Sequence, residues 1–381
     1  MTRVVVVGAG IIGAACAWYA VRAGLDVTVI ERQAVAAGTS GAGEGNLLVS
    51  DKEPGPELAM MLRSLRLWTE LADEVGSDGL ELERKGGVVV AKTAGALQAL
   101  RTLAGEQRDC GVRSEPLTPG QLRELEPHLA PGLAGGAFYP DDMQVAPMLA
   151  AARILQAAVA AGARLRLGVE ATGLRLRHGR VSGVETGQGV IAADFAVNAA
   201  GVWGGRLAEQ CGAPIPVLPR RGFVLVTEPL PRVIRHKVYS ADYVASIASS
   251  AEGLETSSVI EGTRAGPVLI GASRERVGFD RGFSFRAVRE LAARAVALFP
   301  VLGSVNIMRV YAGFRPYCPD HLPVVGHDQR VTGLLHACGH EGAGIGLAPA
   351  TGELIAQLIT GQPTRLDATP FAPDRLIGQP A

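Results

Sequence analysis

Four consecutive valines, Val4 to Val7, open the chain after Met1-Thr2-Arg3, and a β-branched run without polar alternation predicts a strand buried on both faces of a parallel sheet. Gly8-Ala9-Gly10-Ile11-Ile12-Gly13 follows, then a helical pattern from Ala14 to Ala23 closed by Gly24, then an apolar strand, Val27 to Ile30, ending at Glu31. These segments make a complete βαβ unit.

The Gly-, Ser-, Thr- and Ala-rich stretch Gly38 to Asn46 reads as a loop, and Glu57 to Val75 carries apolar residues at helical spacing. Gly86 to Ala91 predicts a strand, Thr118-Pro119 the start of a short helix through Leu125, and Ala137 to Tyr139 another strand. The Ala-rich helix Pro147 to Ala161 precedes short strands at Arg164 to Leu167, Val181 to Glu185 and Phe195 to Ala199, all assigned to the nucleotide-binding half. Alternating segments Phe223 to Thr227, Ser257 to Glu261 and Val268 to Ala272, with a helix from Phe285 to Leu298 and a strand from Asn306, predict an antiparallel sheet with helices on one face. Strand Gly333 to Ala337, a glycine turn and helix Gly344 to Ile359 return to parallel α/β character. The expected fold is therefore α/β: a Rossmann-like domain (residues 1–75, 145–216 and 312–381) interleaved with an antiparallel-sheet α+β domain (residues 76–144 and 217–311) that binds substrate.

Composition narrows the function. With 37 basic and 37 acidic side chains among 381 residues, the chain has no electrostatic basis for gripping nucleic acid. The longest apolar run, Ile11 to Val21, stops at Arg22, short of the roughly 18 to 20 residues that span a bilayer. The opening leaves no room for a secretory leader, so a cytoplasmic location is expected. Five widely spaced cysteines, none in a Cys-x-x-Cys pair, exclude zinc ribbons and disulfide scaffolds. Aromatics at 5% beside 49 glycines imply a core of small aliphatics with close backbone approaches.

Gly8, Gly10 and Gly13 fall where a turn, a backbone approach to pyrophosphate and close helix–strand packing need glycine, and the helix N-terminus favours the phosphate charge. Glu31 is placed for a ribose diol and would repel a 2'-phosphate, which disfavours NADP but does not separate FAD from NAD. The turn Gly339 to Gly346 opens a second helix whose free N–H groups can face an anion or a ring carbonyl. Arg315, in Gly313-Phe314-Arg315-Pro316, offers a fork suited to a two-bond grip on a carboxylate; a surface ion pair is the competing assignment. His336 and His340 are four apart, but the strand and glycine turn deny them helical metal-pair geometry, so no metal is expected. Hydrolase elbows and Gly-Lys-Ser/Thr phosphate loops are absent, and Asp141-Asp142 reads as a solvated loop pair.

The opening Val4 to Glu31, the stretch Asn198-Ala199-Ala200-Gly201-Val202-Trp203, and Gly339-His340-Glu341-Gly342-Ala343-Gly344-Ile345-Gly346-Leu347-Ala348-Pro349-Ala350-Thr351-Gly352 together resemble the FAD-dependent D-amino acid oxidase superfamily, which includes glycine oxidase and sarcosine oxidase. Residues Gly76 to Val310 are similar only in layout. The resemblance implies a glutathione-reductase-type FAD domain and cofactor roles for Gly8, Gly10, Ile11, Ile12, Gly13, Glu31 and Arg32; for Thr39, Ser40, Glu44, Gly45 and Asn46 in the loop around pyrophosphate and flavin ring; for the Ala171 backbone at the adenine; and for Gly201. It likewise implies that Gly339, His340, Glu341, Gly342, Ala343, Gly344, Ile345 and Gly346 face the isoalloxazine. Arg315 becomes the catalytic-site residue that holds the substrate carboxylate, with Asn46 and Glu341 as further substrate contacts. Val259 stands where glycine oxidase has a tyrosine and Gly342 where it has an arginine, so specificity should differ. FAD should be non-covalent, because the attachment cysteine of monomeric sarcosine oxidases has its nearest counterpart at Gly313 and Cys318 lies too far along.

Gly43-Glu44-Gly45-Asn46 and Ser50-Asp51-Lys52-Glu53-Pro54-Gly55-Pro56-Glu57 look most like the branch holding D-hydroxyproline dehydrogenase, opine oxidase and hydrogen cyanide synthase catalytic subunits. That branch implies oxidation of a D-configured or secondary or cyclic amino acid, such as D-hydroxyproline or D-proline, to its imine by hydride transfer to flavin N5. It also implies an iron-sulfur or second flavin subunit as electron acceptor, in a hetero-oligomer or homo-oligomer. This chain's own cysteines lack the spacing for a cluster. The alternatives are an oxygen-using glycine or sarcosine type of oxidase, for which Lys52 is the candidate fixed charge near N5, a nicotinamide-linked dehydrogenase, and a non-catalytic flavoprotein subunit of an electron-transfer complex.

Overall fold

The computed structural model describes residues 1–243 and 249–377. Strand Arg3–Val7 lies at the centre of a six-stranded sheet, hydrogen-bonded in parallel to Asp26–Glu31 on one side and Phe195–Asn198 on the other. Beyond these come Arg164–Leu167 at one edge and Leu334–Cys338 at the other, followed by Val324–His327, whose pairing is antiparallel. The valine run is apolar throughout because both faces are covered: Val4 and Val6 enter one buried cluster while Val5 enters another. Helix Ile11–Arg22 packs against the C-terminal helix Gly344–Thr360 at short range, and a Cβ on Gly352 would stand 2.6 Å from the Ala15 carbonyl oxygen. Small residues on this pair of helices therefore serve close approach.

The second sheet has eight strands, in the order Ile307–Tyr317, Leu218–Thr227, Val268–Arg274, Glu255–Gly262, Lys237–Ser240, Gly87–Ala91, Gly135–Tyr139 and Glu115–Leu117. Its pairings are antiparallel except where Lys237–Ser240 runs parallel to Gly87–Ala91. Helix Phe285–Leu298 covers one face through Ala287, Leu291, Ala295 and Leu298, and Ser284 caps it by accepting from the Ala287 N–H at 3.2 Å.

Two expectations are corrected here. The segment Val181 to Glu185 forms part of strand Arg180–Thr186, which joins Ala171–Arg177 and Gly189–Ala192 in a separate three-stranded antiparallel sheet and not the nucleotide-binding one. His178 and Gly179, both at positive φ, turn the chain straight back on itself, and a tight hairpin can only pair antiparallel. Asp142 is fully buried, unlike a solvated loop residue: its carboxylate accepts from the Val49 N–H at 2.8 Å and from the Ser50 N–H and hydroxyl. Burial pushes its pKa up to about 7 against the pull of those hydrogen bonds. Asp142 thus ties the segment that follows the glycine-rich loop to the second sheet.

Candidate active site

The loop after the first strand places each glycine against backbone. Gly8 sits at φ +112°, and a Cβ there would lie 2.4 Å from the Ala199 oxygen; a Cβ on Gly13 would lie 1.9 Å from the Gly8 oxygen. The Glu31 carboxylate accepts from the Ala9 N–H at 3.0 Å and from the Gln33 N–H at 2.8 Å, so it pins the turn and keeps further lone pairs for a ligand. Ser40 reaches in from the neighbouring loop and accepts the Ile11 N–H at 3.0 Å. Among the described residues no protein group accepts from the N–H of Gly10, Ile12 or Gly13, which leaves a set of donors suited to an anion.

A cavity of about 260 Å³ joins this turn to Arg315 and to the start of the C-terminal helix. The residues to which the resemblance gave cofactor or substrate contacts line it except Gly13, Gly45, Gly339, Ala343 and Gly346, and the candidate charge Lys52 also lies outside its lining. Those five glycine and alanine positions lie outside the lining of this cavity. A Cβ on Gly45 would sit 1.8 Å from the Val145 oxygen, Gly339 takes φ +76° in the turn, and the Gly346 carbonyl accepts from Ser64 Oγ at 2.6 Å and Trp68 Nε1 at 3.0 Å. Ala343 forms the N-cap of the last helix and lines an adjoining cavity. At that helix start the N–H groups of Gly342, Gly344 and Ile345 also have no protein acceptor among the described residues.

Arg315 lines the cavity with Nη1 donating to the Ser273 carbonyl at 2.7 Å, and among the described residues no carboxylate lies within ion-pair distance of it. Gly222 makes room for it, since a Cβ there would fall 2.2 Å from Arg315 Nη1. Thr39 Oγ1 donates to the Phe314 carbonyl at 2.7 Å and so ties the glycine-rich loop to the strand that carries Arg315. Arg32 stacks over Trp203 at 4.1 Å.

Glu341 lines the cavity, but its carboxylate is engaged by the buried Arg220 at 2.6 Å and by His321 at 3.2 Å. Although burial would raise its pKa, these partners hold it below the ordinary glutamate value. His340 bonds Thr351 Oγ1 at 3.0 Å, and burial pushes its pKa down to about 3, so the ring is neutral. Glu44 lies beside Lys237, whose Nζ is 2.5 Å from Glu261 and 3.6 Å from Glu44, and burial raises the Glu44 carboxyl above its usual range. Glu44 Oε1 and Asn46 Oδ1 are buried without a hydrogen-bond partner among the described residues. Lys52 lies in the adjoining cavity, paired with Asp51 at 2.6 Å and Glu57 at 4.0 Å. Burial alone would lower its pKa, but those acids raise it and keep the ammonium charged.

Several lining residues carried no signal in the sequence. Tyr243 reaches the cavity from just beyond strand Lys237–Ser240, while Val259 is fully buried in the sheet opposite Tyr239. Cys338 also lines the wall, its thiol pushed up to about 12 by burial and therefore a poor nucleophile. Among the described residues no group of His, Cys, Asp or Glu is arranged to hold a metal, and no helix is long and apolar enough to cross a membrane.

The family described as DAO, FAD dependent oxidoreductase, matches residues 3–358. Glycine oxidase of Geobacillus kaustophilus is 33% identical over 386 residues, 99% of this chain and 97% of that protein. The hydrogen cyanide synthase subunit HcnC of Pseudomonas aeruginosa is 31% identical over 329 residues, 85% of this chain and 75% of that one. Among solved structures, L-proline dehydrogenase from P. horikoshii superposes with a TM-score of 0.90 at 25% identity, covering 98% of this chain and 97% of that chain.

Proposed function

The chain belongs to the DAO family of FAD-dependent oxidoreductases and is an enzyme acting on carbon–nitrogen bonds of amines or amino acids; within that activity we propose that it oxidises a D-configured, secondary or cyclic amino acid to the imine. The observation that carries this reading is Arg315, a guanidinium on the cavity wall with no carboxylate of its own among the described residues. The cavity suits FAD on its own chemistry. Unclaimed N–H groups at Gly10 and Ile12 match a pyrophosphate, and a second set at Gly342, Gly344 and Ile345, with the Asn46 Oδ1 that has no hydrogen-bond partner among the described residues, matches a ring that both accepts and donates.

When bound, FAD supplies the acceptor for the hydride equivalent leaving the carbon beside nitrogen. Arg315 fixes the substrate carboxylate and thereby the direction of that C–H bond. The nitrogen lone pair becomes the new C=N bond, so the amine must react neutral, and the N–H proton passes to solvent. A neutral His340 adds no positive charge that would hold the amine's lone pair back. The buried Glu341–Arg220 pair keeps the wall rigid beside Arg315.

An anaerobic panel of D-, N-alkyl and cyclic amino acids, followed by loss of flavin absorbance, tests the reading: a D- or secondary amino acid is expected to bleach the flavin fastest, and a preference for unsubstituted L-amino acids would refute it. The electron acceptor in this reading is a partner protein, supported by the subunit character of HcnC and by Lys52, whose charge is already answered by Asp51 and Glu57. Stopped-flow mixing of reduced enzyme with oxygenated buffer should show reoxidation slower than turnover with an artificial dye; the reverse order makes the protein a self-sufficient oxidase.

Non-covalent FAD is a further expectation. Gly313 offers no nucleophile and a Cβ there would stand 2.5 Å from Ala42 Cβ, Cys318 is fully buried in a separate apolar cluster, and Cys338 is held as the thiol. Acid precipitation should release all yellow colour to the supernatant, and flavin left on the pellet would contradict the assignment.

A further inference from the structure

Glu44 and Arg315 both line the first cavity, and Glu44 is otherwise enclosed by protein. Strand Val268–Arg274 positions the two charged groups. Gly271 clears space for the Glu44 carboxylate, since a Cβ there would stand 2.7 Å from Oε2, and Ser273, two residues on, accepts from Arg315 Nη1 through its carbonyl. The cavity thus presents a carboxylate and a guanidinium side by side along one strand. An α-amino acid carries the complementary pair, an ammonium group and a carboxylate on one carbon.

Behind Glu44 stands a buried group with one lysine for two acids. Lys237 Nζ is 2.5 Å from Glu261 and only 3.6 Å from Glu44, and the second Glu261 oxygen accepts from the Gly45 N–H at 3.4 Å. Lys237 is therefore given mainly to Glu261, and Glu44 Oε1 has no hydrogen-bond partner among the described residues. The other charged and titratable groups facing Glu44 are Arg315 and Tyr311 from strand Ile307–Tyr317, and Tyr243 on the cavity wall. Lys85 approaches Glu261 from the far side, and Arg274 faces the adjoining cavity. Burial raises the Glu44 carboxyl above its usual range and the Glu261 charge adds to that, while Lys237 and Arg315 pull the other way. A carboxylate so raised is a better match to an ammonium proton than an exposed glutamate.

We propose that Glu44 is the proton acceptor for the substrate's ammonium group, with Lys237 and Glu261 as the positioning residues behind it. The inference rests on the amino acid reading above and deepens it, by assigning the step in which an amine that arrives protonated becomes neutral. The ammonium N–H proton passes to a Glu44 carboxylate oxygen, and the bonding pair stays on nitrogen as the lone pair. The hydride equivalent then leaves the carbon for the flavin, and that lone pair closes the C=N bond. Glu44 returns its proton to solvent when the product departs.

The test follows anaerobic flavin reduction across pH in the FAD-loaded enzyme, with the fastest substrate of the panel. Wild-type efficiency should level off well before the amine ionises by itself, at about pH 10 for an alkyl ammonium. Glu44→Gln should lose about 100- to 1,000-fold at about pH 7 and recover to within about tenfold at about pH 10, where the substrate arrives as free amine. Glu44→Asp should restore part of the neutral-pH rate. Glu261→Gln should move the break to lower pH, because the charge that lifts Glu44 is gone and Lys237 is released to it. A readout without turnover comes from 2-methylalanine, which has the carboxylate and the amine but no hydrogen on the α-carbon. Its affinity, read from the flavin spectrum, should rise as Glu44 ionises in the wild type and lose that rise in Glu44→Gln.

A uniform loss at every pH in Glu44→Gln would make Glu44 a packing contact and overturn the proposal, as would a break that stays in place in Glu261→Gln. Flavin content and melting temperature report folding, and if Glu44→Gln does not hold FAD, Glu44→Asp and Glu261→Gln decide. If amino acids bleach the flavin with one pH profile in wild type and Glu44→Gln, the amino acid reading stands and this inference falls. If no amine bleaches it, the reading falls, and 2-methylalanine still decides: an affinity indifferent to Glu44, or no binding, overturns the proton-acceptor role.

Discussion

Arg315→Met should retain FAD at the wild-type stoichiometry yet lose about 2–5 kcal/mol of transition-state binding for its amino acid substrate, on the order of 30- to 5,000-fold in kcat/KM. The reason is local. The guanidinium meets the Ser273 carbonyl and, among the described residues, no carboxylate, so its remaining donors are available to a ligand. Methionine keeps the length of the side chain but leaves a buried substrate carboxylate without its charge partner. Arg315→Lys should recover only part of the loss, because an ammonium cannot make the two parallel bonds of the fork. Unchanged flavin-reduction kinetics in the methionine variant would move the carboxylate site elsewhere, with Arg220 and Arg221 the neighbours to examine.

Gly13→Ala is the second large effect. The new methyl would stand 1.9 Å from the Gly8 oxygen, and since both atoms belong to backbone elements, helix Ile11–Arg22 must back away from strand Arg3–Val7. That shift withdraws the N–H groups of Gly10 and Ile12 from the phosphate position. The protein is expected to lose about 1–3 kcal/mol of stability through overpacking and to purify largely without FAD. Gly187→Ala, where a Cβ meets nothing within 4 Å, is the matched control and should keep both flavin and melting temperature. A Gly13→Ala protein with full flavin content would show that the helix can absorb the methyl without moving.

The elements at the two ends of the chain were legible because local pattern and environment agree there: an uninterrupted valine run in a strand covered on both faces, and a glycine turn leading into an apolar helix. Helix Ala94–Asp109 escaped notice because only Leu100, Ala104 and Gln107 are buried, too narrow a stripe to stand out. Asp142 looked like half of a solvated pair because its partners, Val49 and Ser50, come from a distant part of the chain. Arg274 and Tyr243 were equally silent, since nothing in their flanking residues says that the second sheet will bring them to the Arg315 cavity. Gly13 reads from the sequence as a position that needs glycine for close helix–strand packing, whereas Gly45 and Gly346 entered only through the resemblance as cofactor contacts; that a Cβ there would meet the Val145 carbonyl and the Met61 side chain is something no motif specifies.

Thr39 and Ser40 are adjacent, yet Thr39 holds the strand of Arg315 and Ser40 holds the first helix turn. One short segment therefore spans the glycine-turn end and the Arg315 end of the cavity. A ligand that orders this segment at one end would prepay part of the ordering entropy at the other, and the two ends would then be coupled without a second conformation. Linkage makes the effect mutual: a carboxylate that binds the FAD-loaded chain more tightly than the FAD-free chain must tighten FAD by the same factor. FAD retention measured with and without a bound carboxylate would read out that coupling directly.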